Sequence, residues 1–430
     1  MAGGPERQAE TLLRTAFQTA VRSTLPEHCL PAHLPRPPSG RLAIIAAGKA
    51  AVGMARAAND RYGRAGRGLI VAPAGTPNPD IAGFEFIAAG HPVPDTGSVA
   101  AASRALELAA SLAPDDLLLT LISGGASALL AAPVDGVTLD EKRELTRALL
   151  ASGAPIGAMN LIRKCLSRIK GGRLADASAA PVVTLAISDV AGDDPAAIGS
   201  GPTVEDAGRL ADARRILARH AIQVPAGIHA ALNDPANEPP DLSGRANDLP
   251  FTIVASGNTA LEAAARLLTE AGFVVGNLGD DVEGDTRAVA CEHAERIRGL
   301  ARDAVRDRQP RCLLSGGELT VKLGPSPGAG GPNTDYLLAL ALELSNSNGM
   351  PASCWGLAAD TDGIDGHGGH AGALFGPDTI HAAAARGLDP ADFLAHHDSA
   401  RFFAESGGLL TPGPSGTNVN DFRCVLVLPD

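Results

Sequence analysis

Apolar positions along the chain recur with two alternating periods. Leu12, Leu13, Phe17 and Val21 fall at helical spacing, and after the proline-rich stretch Pro31 to Pro38 an unbroken apolar run, Leu42 to Ala47, reads as a strand buried on both faces. The unit repeats. Strands are expected over Gly68 to Ala72, Phe84 to Ala88, Asp116 to Ile122 and Pro181 to Ile187, with helices over Ser98 to Leu112, Leu139 to Leu150 and Ala207 to His220. A polar, breaker-rich segment between Ala231 and Pro250 has the composition of a linker, which places one domain over residues 1–243 and a second over 244–430. In the second, strands are expected at Phe251 to Ala255, Phe273 to Leu278, Arg311 to Ser315, Cys354 to Ala359 and Arg423 to Leu428. The helices there are Asn258 to Ala271, Thr286 to Val305 and Tyr336 to Leu344. Alternating strands and helices predict an α/β protein with two doubly wound, mostly parallel, Rossmann-like domains. In such sheets ligands gather outside the carboxyl ends of the strands, so motifs at strand-to-loop junctions carry the most weight.

Composition narrows the partners. The 430 residues carry 36 Lys and Arg against 48 Asp and Glu, a net charge of −12, and only 3% are aromatic. That sign and the shortage of stacking platforms argue against nucleic acid and favour small polar ligands. The longest apolar runs fall far short of the roughly 20 residues that span a bilayer, and Met1 to Glu10 holds Glu6, Arg7 and Glu10 without an apolar core. A cytoplasmic protein with no membrane association is expected. The six cysteines are scattered without C-x-x-C spacing, so buried reduced thiols are the default reading.

Several junctions carry candidate chemistry. Ala47-Gly48-Lys49-Ala50 ends a strand on a lysine, outside any Walker A pattern, and is read either as a phosphate contact or as a solvated lysine. Ser123-Gly124-Gly125-Ala126-Ser127 follows a buried strand and turns into a helix, small enough to let backbone N–H groups approach a phosphate; a capped strand-to-helix turn is the alternative. Arg163, Lys164, Arg168, Lys170 and Arg173 form a basic stretch in an acidic protein, either an anion contact or one solvated helix face. Asp189, Asp193 and Asp194 stand at another strand end, suited to Mg²⁺ or to activating a hydroxyl, or else to turns and caps, and Ser200 to Thr203 close that loop. The second half repeats the style in Ser315 to Glu318, Gly328 to Asp335, Asp360 to Gly366 and Gly416 to Asp421. His367 and His370 have H-x-x-H spacing, more in keeping with surface turns than with a transition metal, and His91 precedes Pro92 as an acid/base or a structural residue.

These motifs in this order resemble the class II glycerate kinases, whose second domain is of MOFRL type. The likeness rests on Gly48-Lys49-Ala50, Gly90-His91-Pro92, Ser123 to Leu129, Arg163 to Arg173, Ser188-Asp189-Val190, Gly192 to Asp194, Ser200 to Thr203, Ser315 to Glu318, Thr361 to Gly366 and Gly416 to Asp421. The resemblance implies phosphorylation of D-glycerate to 2-phosphoglycerate by ATP and Mg²⁺ in an interdomain cleft. It implies Lys49 and Asp189 as catalytic residues, and Ser123, Gly124, Gly125, Ala126 and Ser127 as the phosphate cradle. Asp189 and Asp193 would be the metal ligands. His91, Arg163, Lys164, Lys170, Glu318, Asn333, Asp362, Asn418 and Asp421 would be the substrate contacts. A homodimer is left open. One departure stands out: where the family pattern commonly reads Gly-Gly-Arg-Asn-Gln-Glu, this chain has Gly330-Gly331-Pro332-Asn333-Thr334-Asp335. Either another cation (Lys322, Arg163, Arg168 or Arg423) replaces that arginine or the acceptor differs from glycerate. Some relatives carry a hydroxypyruvate reductase label, so a reductase is the second reading, although no G-x-G-x-x-G turn follows a strand. A non-catalytic sensor of sugar phosphates is the third.

Overall fold

The computed structural model describes residues 5–63, 66–323, 328–345 and 352–429. The chain divides into two compact units, residues 26–254 and residues 1–25 together with 255–430.

In the first of these, six strands are ordered β3-β2-β1-β4-β5-β6: β1 (Leu42–Ala47), β2 (Gly66–Pro73), β3 (Phe84–Ala89), β4 (Leu117–Ile122), β5 (Val182–Ile187) and β6 (Phe251–Ala255). The ladders joining β3, β2, β1, β4 and β5 are parallel. All six residues of β1 and of β4 are buried, as continuous apolar runs require when helices cover both faces. Helix Thr96–Ala110 starts in a capping box between Asp95 and Ser98, and helix Leu139–Ala151 in one between Thr138 and Glu141. The latter packs through Leu145 and Leu149 with Ile162, Cys165, Leu166, Leu210 and Ile228 into a separate core built mainly from helices.

The second unit has a six-stranded sheet and a two-stranded parallel ribbon. In chain order its strands are β7 (Val274–Asn277), β8 (Gly284–Asp285), β9 (Arg311–Ser315), β10 (Leu319–Thr320), β11 (Ala352–Asp360), β12 (Gly372–Phe375), β13 (Leu409–Leu410) and β14 (Asp421–Pro429). The large sheet is ordered β13-β12-β11-β14-β9-β7, and β8 pairs with β10. Only β7 and β9 run parallel in the large sheet; β9, β14, β11, β12 and β13 are joined by antiparallel ladders. The sheet expected to be mostly parallel is therefore mixed. Long buried runs such as Cys424 to Val427 arise because helices cover this sheet too, and burial on both faces erases the alternation that marks an antiparallel strand.

Two further expectations are corrected. Phe251–Ala255 lies at the edge of the first sheet instead of opening the second, so the first unit extends about a strand beyond residue 243. Helix Pro5–Thr24 belongs with the second unit: Phe17 packs on Phe422 with ring centroids 5.8 Å apart, and Thr417 Oγ1 donates to Thr24 O at 3.0 Å. Helical periodicity shows that this segment has an apolar stripe but not which sheet receives it. Four of the six cysteines are buried, Cys29 is partly exposed and Cys291 is exposed, all as free thiols.

Candidate active site

The sheet order puts β1 beside both β2 and β4, with Ala47 opposite Ile122, so the chain leaves the sheet in opposite directions from adjacent strands. This is the switch point where doubly wound sheets hold ligands. The two loops that leave it are Gly48-Lys49-Ala50 and Ser123 to Ser127, predicted separately and brought together here. They are laced by Lys49 N to Gly124 O at 2.8 Å, Ala50 N to Ser123 Oγ at 3.0 Å and Ser123 N to Ala47 O at 3.0 Å. The approach is close enough to require glycine. Gly48 has φ +128° and a Cβ there would lie 2.1 Å from Ser123 Oγ. Gly125 (φ +84°) faces the ring of His91, whose atoms would come within 2.9 Å of an added Cβ, so His91 is part of the same surface. Helix Ala126–Leu129 after the cradle has a single turn. Its dipole is accordingly small.

Lys170 borders this loop. Its buried ammonium donates to Ser127 Oγ at 2.6 Å and Ser127 O at 2.7 Å, while Ser127 Oγ lies 2.7 Å from Ser200 Oγ. The turn carrying Lys170 is held to the Ser200 loop by Gly171 N to Ser200 O at 3.1 Å and Gly172 N to Gly201 O at 2.8 Å. Burial, followed by the charges of Lys142 and Arg163, holds the Lys170 pKa well below its ordinary value. Lys142 itself escaped the sequence reading, because a lysine on an amphipathic helix has no local mark distinguishing it from a solvated one. The rest of the basic stretch divides. Lys164 forms an ion pair with Asp206 and donates to Ala196 O at 3.3 Å, Arg168 is exposed and donates to Pro133 O, and Arg173 bonds backbone carbonyls including Asn237 O. Lys164, expected among the substrate contacts, is thus committed to a carboxylate. Arg163 makes one 3.3 Å bond, to Asn160 Oδ1.

After β5, Asp189 and Asp193 stand in one loop, with Asp193 in a left-handed conformation at φ 54°. Oδ1 of Asp193 is buried without a hydrogen-bond partner among the described residues. Such an oxygen suits a hard cation, and Mg²⁺ needs only one or two carboxylates when water and phosphate oxygens complete its shell. No cluster of three or more His, Cys, Asp or Glu arranged for a metal occurs among the described residues. His367 is exposed and His370 buried, 3.8 Å from Asp365, so the two do not form a surface pair.

In the second unit a polar network is built around Asp421. Asn333 Nδ2 donates to Asp421 Oδ1 at 2.6 Å, and Arg423 Nη2 to Asp421 Oδ2 at 2.5 Å. The guanidinium of Arg423 also donates to Gly316 O at 2.6 Å and lies over the Tyr336 ring, 5.4 Å from its centroid. Both Nη atoms of Arg423 are therefore committed within its own core, although its buried Nε has no hydrogen-bond partner among the described residues, and Arg423 is no stand-in for the arginine that Pro332 replaces; Lys322 is exposed. Pro332 instead opens helix Pro332–Ser345, a position where the missing N–H of proline costs nothing. The helix starts four residues before the predicted Tyr336, because Asp365 caps it from outside: its carboxylate accepts from Asn333 N, Thr334 N and Thr334 Oγ1, each at 2.9 Å. Asp335 is buried against His397 Nδ1 at 2.6 Å and Ser399 Oγ. Asp360 and Asp421 are register partners on β11 and β14. Burial first, then the neighbouring charges of Asp362 and Asp421, raise the Asp360 pKa well above the usual carboxylate range. Asp362 and Asn418 are buried near these strand ends, whereas Glu318 is exposed between β9 and β10.

A parallel sheet ordered 3-2-1-4-5-6 with a lysine and a glycine–serine loop at its switch point, joined in one chain to a mixed-sheet unit rich in buried carboxylates, defines a class of two-unit α/β proteins. Residues 12–233 match the family described as Domain of unknown function (DUF4147), and residues 311–421 match the MOFRL family. Over 431 residues the chain is 35% identical to the D-glycerate 2-kinase of Thermotoga maritima, covering 97% of this chain and 99% of that one. It is 44% identical over 427 residues to an Agrobacterium vitis protein provisionally named a hydroxypyruvate reductase, covering 97% and 94%. The crystal structure of glycerate kinase from Thermotoga maritima superposes with a TM-score of 0.87 at 32% identity, covering 98% of this chain and all of that one. The chain belongs to this DUF4147–MOFRL family, in which the glycerate 2-kinases are found.

Proposed function

We propose that the protein is an enzyme that transfers the terminal phosphoryl group of ATP to a hydroxyl of D-glycerate, giving 2-phosphoglycerate. The observation that carries this reading is the pairing of Lys49 with the Ser123–Ser127 loop at the β1–β4 switch point, in a chain that matches D-glycerate 2-kinase along nearly its whole length. Phosphoryl transfer asks for charge neutralisation and in-line placement more than for covalent chemistry. Lys49 and Lys170 supply positive charge to phosphate oxygens, and the small residues of the cradle let backbone N–H groups approach them. Asp189 orients or deprotonates the attacking hydroxyl. Asp189 and Asp193 would hold Mg²⁺, which supplies charge neutralisation of the phosphate oxygens when bound. In the second unit, Glu318, Asn333, Asp362, Asn418 and Asp421 are the proposed polar contacts to ligand.

The test is ADP release with ATP, Mg²⁺ and D-glycerate, followed by identification of the phosphorylated product and run beside NAD(P)H oxidation with hydroxypyruvate. Glycerate-dependent ADP release supports the kinase. Its absence, with NAD(P)H oxidised instead, overturns the kinase in favour of the reductase named for the Agrobacterium relative.

A further inference from the structure

Helix Leu139–Ala151, helix Ile156–Cys165 and the turn after it bring Lys142, Arg163, Lys170 and Arg173 into one electrostatic neighbourhood. Nζ of Lys142 is buried and has no hydrogen-bond partner among the described residues. The charges acting on it are those of Arg163 and Arg173. The acids of the surrounding elements are engaged elsewhere. Asp140 pairs with Arg143, Glu141 bonds Thr138, Asp206 pairs with Lys164, and Glu238 lies 3.9 Å from Arg209. A buried ammonium facing only cations is strongly unfavourable, so the group either sheds its proton or is completed by an anion. Arg143, the next residue on the helix, donates to Pro94 O at 3.1 Å, beside the His91 turn that packs on Gly125, and Lys170 reaches Ser127 and through it Ser200.

We propose that Lys142, Arg163 and Lys170, with the hydroxyls of Ser127 and Ser200, form a subsite for the phosphate dianion of a phosphorylated small molecule, in which Lys142 is a binding residue. Two ammonium groups, a guanidinium fork and two hydroxyls exceed what one carboxylate can accept and match the several oxygens and double charge of phosphate. A metal ion is excluded by the sign of the field. Burial, with Arg163 and Arg173, pushes Lys142 down to about 7, so a bound dianion would draw a proton onto it. Naming the ligand as the phosphorylated product rests on the kinase reading; the anion subsite itself does not.

The experiment is calorimetric titration of the intact protein with inorganic phosphate, D-glycerate and sulfate at pH 8, in two buffers of different ionisation heat. Wild-type protein should bind phosphate saturably and take up protons on binding sulfate, which does not itself titrate. Lys142→Met should weaken phosphate at least tenfold and diminish the uptake, while the unliganded variant unfolds at the same temperature as wild type or higher. Lys142→Arg, which keeps the charge, should recover most of the affinity. Equal phosphate affinity in wild type and Lys142→Met overturns the proposal, as does a loss confined to D-glycerate. Should Lys142→Met fail to fold, absence of proton uptake by wild type overturns it alone. Binding is read without turnover, so failure here leaves the kinase reading standing, and lost turnover with intact phosphate binding counts only against the latter.

Discussion

Lys170 Nζ lies 2.6 Å from Ser127 Oγ, a contact between a buried lysine and a half-buried hydroxyl at the mouth of a glycine loop. The hydroxyl in turn is 2.7 Å from Ser200 Oγ, so three residues far apart in the chain form one polar chain. In a low-dielectric setting such a contact fixes the direction of both groups more firmly than the same pair would in water.

Lys170→Met should therefore lower kcat by about 10²-fold or more, the usual effect of removing one group that stabilises developing charge. Ser200→Ala should cost less, because it removes only the outer member of the chain. Steady-state ADP release measures both, and an unchanged kcat in Lys170→Met would remove that lysine from the phosphate contacts.

Lys49→Ala and Asp189→Ala should each abolish most activity while far-ultraviolet circular dichroism stays as in wild type, since both side chains are partly exposed at strand ends and outside the core. Turnover surviving in either variant excludes that residue from the mechanism.

In the second unit, Asn333→Leu takes from Asp421 one of its two short side-chain partners, leaving a buried carboxylate oxygen unsatisfied. A loss of about 1–3 kcal/mol is expected, read from the urea midpoint of unfolding. Asn333→Asp should be worse, placing a like charge against Asp421. A midpoint equal to wild type in both would show that the network adds nothing to stability.

His293 is buried with Nδ1 2.8 Å from Tyr336 OH, and burial pushes its pKa down to about 4. Its unfolded value is about 6.5, so between the two the unfolded chain binds more protons. The stability this group contributes is complete above pH 6.5 and is lost as pH falls toward 4, by about 3 kcal/mol in all. His293→Gln should flatten the acid limb of a plot of unfolding free energy against pH. An unaltered limb would assign the acid sensitivity to other groups.

Much of the architecture was legible because buried strands and amphipathic helices have different periods. The run Leu117 to Ile122 could be little else than a strand sealed on both faces, and the glycines and serines after it marked a junction where backbone comes close to something. Strand direction was not legible in the second unit, since a helix-covered antiparallel strand such as Asp421–Pro429 reads like a parallel one. Nor could local pattern tell that Pro5–Thr24 crosses to the far end of the sequence to meet Phe422.

The sequence by itself determined the alternation of elements, the net negative charge, and the strand-end motifs that single out Lys49, the Ser123–Ser127 loop and Asp189. Only the tertiary structure decided which charges are already satisfied. It committed Arg423 to Asp421 and Lys164 to Asp206, and it enclosed Lys142 and Lys170 among cations. The physical reason is that a charge is defined by its neighbours and its access to water, and those neighbours come from segments tens of residues apart that only folding brings together.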